Sequence, residues 1–196
     1  FAMSNVDRFN SFYKAAVDNG RKLVVDTRLA YIMSNMMDIV PYPDPLKDPN
    51  IDVYFRLAKT CTFNEKDYYK WEREYCPKMI TYKDIKKNPK KYVMFLGFYK
   101  LMELVYLQPK NADFIYSMSE HFLEGEENEE QRKIWENWMN HFGIKFHKAH
   151  CSGHCSRQDI IEIVKKINPK VLIPIHTESP KEFKKFHGNV KIVDKM

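Results

Sequence analysis

From residue 112 to residue 193, short apolar runs and helical stretches take turns with little between them. "ADFIYS" (112–117) reads as a strand. The acidic stretch "EGEENEEQRKIWENWMNHFG" (124–143) reads as a helix with glutamates in its early turns, ending at Gly143. "IKFHKA" (144–149) is a strand, Ser156 to Ile167 a helix, and "VLIPI" (171–175) a strand. "SPKEFKKF" (179–186) is then a helix and "VKIV" (190–193) a strand. Strands alternating with helices imply an α/β fold with a mostly parallel sheet, flanked by helices on both faces.

Upstream the same alternation is present but less regular. Ser4 and Asp7 have the spacing of a capping box, and Val6, Phe9, Tyr13, Ala16 and Val17 repeat at helical intervals until Gly20 stops them. "KLVVD" (22–26) is a short buried strand and "RLAYIMSNMMD" (28–38) a second helix. The four prolines of "PYPDPLKDPN" (41–50) force a loop. Residues 51–90 are polar and aromatic and read as mostly helical. "KYVMFLG" (91–97) is a strand and "FYKLMELVYL" (98–107) a helix.

A chain of 196 residues, 44% hydrophobic, can bury one good core or hold one domain and part of another. No stretch approaches the roughly 20 apolar residues of a membrane span, so no membrane partner is expected. The chain starts at Phe1 without a charged-then-apolar leader, and is expected to be a truncated or processed piece. A net charge of +6 suits contact with a polyanion, or simply lysines that solvate surface helices. Cys61, Cys76, Cys151 and Cys155 are too few and too scattered for a disulfide framework. Reduced thiols in a cytoplasmic protein are the expectation.

The densest chemistry is "HKAHCSGHCS" (147–156). His147, His150, Cys151, His154 and Cys155 crowd into one stretch without a second pair of ligands, which disfavours a closed structural zinc site. Cys151 and Cys155 have three residues between them, not the two of a redox pair. They read as small, partly buried filler. Ser156 and Asp159 form a capping box for a helix that presents Ile160, Ile161, Ile163, Val164 and Ile167 to the core. The unpaired N–H groups at that helix start favour an anion such as phosphate. Gly153 would let the backbone approach it, Ser152 would offer a hydroxyl, and His154 would stand beside it. A capping group and a hydrogen-bonded histidine explain the same residues equally well. His176 closes the apolar run "VLIPIH", so "HCSGHCS" and "HTE" (176–178) both follow strands, where ligands gather in parallel sheets.

"HCSGHCSRQDIIEIVKKINPKVLIPIHTESPKEF" resembles the C-terminal end of the metallo-β-lactamase-fold nucleases of the β-CASP group, which includes ribonuclease J. "SNVDRFNSFYKAAVDNGRKLVVDT" resembles the helix and strand that open the β-CASP insert, and "ITYKDIKKNPKKYVMFLGFY" and "DFIYSMSE" its later strands. The resemblance implies a β-CASP-like insert over 1–145, its first strand truncated, and the C-terminal part of a metallo-β-lactamase domain over 146–196. It implies a zinc-dependent phosphodiesterase acting on nucleic acid, RNA above all, with two zinc ions in the longer enzyme and none held stably by this piece. By position His154 is the catalytic proton donor and His176 a zinc ligand. His150 and Ser152 match residues that contact substrate phosphate in relatives, Gly153 and Ser156 join them as phosphate-binding candidates through the helix start, and Lys86, Lys87, Lys90 and Lys91 are nucleic-acid contacts or plain solvated surface. The family's H-x-H-x-D-H ligand loop is not in this sequence, and the N-terminal half of the same protein is an expected partner, with a homodimer another. Two other readings stay open: a non-catalytic scaffold or RNA-binding homologue, and a hydrolase of a small substrate.

Overall fold

The computed structural model describes residues 1–118, 123, 126–149 and 155–193. The chain divides into two compact units, Phe1–His150 and Cys151–Met196.

In the first unit the opening helix, α1 (Val6–Asp18), is capped by the Asn5 side chain, which accepts from the Arg8 N–H at 2.9 Å. The cap is therefore one residue later than Ser4, with Asp7 left to oppose the helix dipole in the first turn. The helix ends as the sequence demands. Gly20 takes φ +65°, its N–H reaches Val17 O, and the Arg21 N–H reaches Ala16 O, a Schellman closure that needs a left-handed residue.

Strand β1 (Lys22–Asp26) lies between β2 (Ile51–Tyr54) and β4 (Tyr92–Met94), with β3 (Met79–Ile80) beyond β2. Every pairing is parallel, in the order β3-β2-β1-β4. A central parallel strand is covered on both faces, which is why β1 reads Leu-Val-Val and why Leu23, Val24 and Val25 are all buried. One face meets Phe9 and Ala16 of α1 with Leu29, Ala30 and Met33 of α2 (Thr27–Met36). The other meets Ile80, Tyr82, Ile85 and Tyr92, which belong to or flank β3, β4 and the short α4 (Tyr82–Lys87).

The stretch 51–90 corrects the expectation of mostly helix. It contains β2 and β3, and its helices are short: single-turn α3 (Lys70–Arg73), α4 and 3-10 turns. "IDVY" is too short for its period to stand out, and only pairing with β1 makes it a strand. "FYKLMELVYL" divides into a 3-10 turn and α5 (Glu103–Leu107). Next, β5 (Asp113–Tyr116) pairs in parallel with β6 (Lys145–Lys148) across α6 (Glu129–Phe142). Trp135 and Met139 of α6 pack there with Leu101, Leu104 and Tyr116, and Gly143 ends the helix at φ +61°.

In the second unit α7 (Arg157–Ile167) forms as expected, but the strands do not. "VLIPI" and "VKIV" meet in a single parallel bridge, Leu172 with Val190, held by Leu172 N–H to Asn189 O and Lys191 N–H to Leu172 O. Pro174 has no N–H to extend the ladder. "SPKEFKKF" is a 3-10 turn, Pro180–Lys185, not an α-helix. Of the five apolar residues expected to face a core, only Val164 is buried, while Ile163 and Ile167 are exposed.

Candidate functional site

The motif residues His150, Cys151, Ser152, Gly153 and His154 lie outside the described residues. What surrounds them in sequence can be built from both sides. On the N-terminal side, β6 sets His147 against Asp113 of β5 at 2.7 Å, an exposed pair that ties the ends of the two strands together. His147 is thereby engaged with a carboxylate of the neighbouring strand. On the C-terminal side, Ser156 starts α7. Its hydroxyl accepts from the Asp159 N–H at 3.1 Å and donates to Asp159 Oδ2 at 2.7 Å, and its own N–H reaches the same oxygen at 3.0 Å. This closed box holds the Asp159 carboxyl below its usual range, through the Ser156 hydroxyl first and its N–H second. A phosphate drawn to this helix start would find the Ser156 hydroxyl already committed and a carboxylate in the first turn. Cys155 is exposed, which corrects the expectation of a partly buried thiol: it stands in the open segment before the helix cap.

His176 is exposed and has φ +54°, a left-handed conformation that few non-glycine residues adopt. No described residue hydrogen-bonds its ring. Cys61, Phe63, Gln108, Asn111 and Asn168 share this conformation, so the backbone of His176 does not by itself mark a site. An imidazole with a free ring nitrogen is a competent zinc donor. Among the described residues, no three His, Cys, Asp or Glu side chains stand together as a metal site. His187, which the sequence did not single out, fastens this unit. Its Nε2 lies 2.9 Å from Pro169 O and its Nδ1 accepts from the Asn189 N–H at 3.3 Å, joining both sides of the Leu172–Val190 bridge.

Lys86, Lys87, Lys90 and Lys91 are exposed around the end of α4. Lys86 Nζ reaches Gln108 Oε1 at 3.1 Å, and Lys91 lies over the Tyr92 ring at 5.6 Å. They form a solvated basic edge, and the geometry brings none of them to a pocket described in the structure.

The sequence also missed a buried polar cluster in the first unit. The chain passes from β1 to β2 and β3 on one side and to β4 on the other, so β1 and β4 flank the point where strand order reverses, the usual ligand crevice of parallel sheets. There Asp26, 3% exposed, accepts from the Leu29 N–H at 2.7 Å and from Lys100 Nζ at 2.7 Å. Beside it, Thr27 donates to Glu72 Oε1 at 2.8 Å, and the Tyr69 N–H reaches Glu72 Oε2 at 3.0 Å. Tyr54 donates to Glu103 at 2.6 Å. Burial first, then this bond, pushes the Tyr54 hydroxyl far above its ordinary pKa, and burial pushes Tyr68 up to about 12. Every member of the cluster has a partner, so here the crevice is closed by the protein's own ion pair.

Residues 144–185 match the family model of the Zn-dependent metallo-hydrolase RNA specificity domain. The matched stretch contains β6, the Ser156–Asp159 box, α7 and His176, and it supports a relationship to the metallo-β-lactamase-related hydrolases. The fold is similar to the crystal structure of a protein of unknown function from Enterococcus faecalis V583, with a TM-score of 0.65 at 20% identity. That similarity covers 98% of this chain and 38% of that one. No curated protein matches the sequence.

Proposed function

We propose that this chain is part of a zinc-dependent phosphodiesterase acting on nucleic acid, with RNA as its substrate. Residues 1–145 would be a β-CASP-like region, and 146–196 the closing segment of a metallo-β-lactamase domain. The observation that carries this reading is the match of 144–185 to a zinc-dependent RNA specificity domain, because that stretch holds both histidine motifs of the sequence. Two features support the view that further chain completes the site. The chain spans 38% of its structural relative. Ile163, Ile167, Val171, Ile173 and Ile175 are also exposed, a run of apolar surface that another layer of structure would cover.

In this reading His176 gives a ring nitrogen to zinc, and zinc, when bound, supplies Lewis acidity at the scissile phosphate. His154 protonates the departing oxygen or donates to charge on the phosphate. Gly153 lets the backbone approach the substrate, and Ser152 and His150 donate to its phosphate.

The test separates the two histidines in the full-length protein. His176→Ala should lose zinc and cleavage together. His154→Ala should keep zinc, measured by elemental analysis, and lose cleavage of labelled single-stranded RNA. Normal cleavage by both variants would end the proposal.

A further inference from the structure

The first unit holds a cleft of about 430 Å³ between α1, strand β4 and strand β5. Its α1 wall is a stripe at helical spacing, from Arg8 through Phe12 to Asn19. At 1.5 Å per residue that stripe is about 16 Å long, so the cleft is a trough and not a round pocket. Arg21, just past the helix, and Arg8 line its walls, while Phe12, Val93 and Ile115 supply apolar surface. No acidic residue lines it among the described residues. Ser117 lines it too; this residue is 4% exposed, and its hydroxyl has no hydrogen-bond partner among the described residues.

We propose that this trough binds a short run of single-stranded nucleic acid. Phosphates lie at Arg8 and Arg21, and a base lies on the apolar surface between them. The proposal rests on the nucleic-acid reading above and adds a second binding surface, almost entirely outside the matched stretch 144–185. Guanidinium groups pair with phosphate oxygens in a fixed, forked geometry, and unstacked bases favour apolar surface that does not read sequence. A mononucleotide would fill only part of so long a site. An acidic polypeptide is the competing occupant, since its carboxylates would meet the same two arginines.

The experiment is fluorescence anisotropy of the full-length protein, freed of zinc by a chelator, with a labelled oligouridylate lacking terminal phosphate, over a range of salt. Wild type should bind. Arg21→Ala should weaken binding about tenfold and lower the slope of log K against log salt by about 0.7, the change expected when one phosphate of a single strand is no longer neutralised. Ile115→Glu should weaken it further. Arg21 and Ile115 are both exposed, so their variants should fold. Binding that is unchanged in both would overturn the trough and leave the nucleic-acid reading standing on other surfaces. No binding by wild type at low salt would overturn both. Displacement of bound RNA by an acidic peptide, with full loss in Arg21→Ala, would assign the trough to a polypeptide instead.

Discussion

Asp26 and Lys100 meet at the reversal point of the four-stranded sheet with one partner buried and the other 40% exposed at its side chain. The asymmetry decides what each contributes. Removing the lysine strands a carboxylate that is desolvated on nearly every side, although the Leu29 N–H still reaches it. Lys100→Met, which keeps most of the aliphatic stem, should cost about 1–3 kcal/mol in urea denaturation. Asp26→Asn keeps an acceptor for the helix cap, so the Lys100→Met penalty should shrink in that background. A coupling energy below about 0.3 kcal/mol would show that the pair is ornamental.

The tyrosines at the same edge carry a pH signature. Tyr54 and Tyr68 have pKa values raised in the folded state, so their contribution is complete below the unfolded value of about 10. It is lost as pH climbs towards and beyond about 12, where Tyr68 ionises in the folded protein. Stability should therefore be level from neutral pH to about 10 and fall above it. Tyr54→Phe should make that fall shallower, by up to about 1.4 kcal/mol per pH unit. An unchanged slope in chemical denaturation between about pH 10 and 11.5, relative to wild type, would refute the assignment.

At the scale of elements, helix ends govern. Gly20 and Gly143 both sit in the left-handed region, and an added Cβ would meet open space at each. Their cost of substitution is thus conformational alone. Gly20→Ala and Gly143→Ala should each lose about 1–2 kcal/mol, with no cavity or clash to enlarge it. A loss near zero at either, measured by thermal denaturation, would mean that the helix end refolds around alanine.

These ends were also what the sequence made legible. The Gly20 and Gly143 stops, the Ser156–Asp159 box and the β1 strand are local statements, set by one residue's conformational freedom or by a run buried on both faces. What could not be read was non-local. β2 is a strand because β1 lies beside it, and the Lys100–Asp26 pair joins residues 74 apart in sequence. "VLIPI" errs the other way: its composition is that of a buried strand, but Pro174 and a single bridge leave it mostly unpaired. Of the candidate site, Ser156 could be placed as a helix cap from its capping box, whereas the strand expected to end at His176 does not form. The strained backbone of His176 left no mark in the sequence.

For the whole molecule, the two units supply different parts of the proposed enzyme. The second holds most of the family match and His176, and the first holds a parallel sheet with a basic trough and a closed crevice. The chain as a whole carries a net charge of +6, which favours a polyanion. A zinc-dependent nuclease must show itself in catalysis by the full-length protein. The decisive measurement is cleavage of labelled single-stranded RNA by that protein, as purified, after zinc removal by a chelator, and after zinc is restored. Cleavage that disappears with the metal and returns with it is the predicted result. RNA left intact by the zinc-replete protein, or cut equally well by the metal-free one, would contradict it.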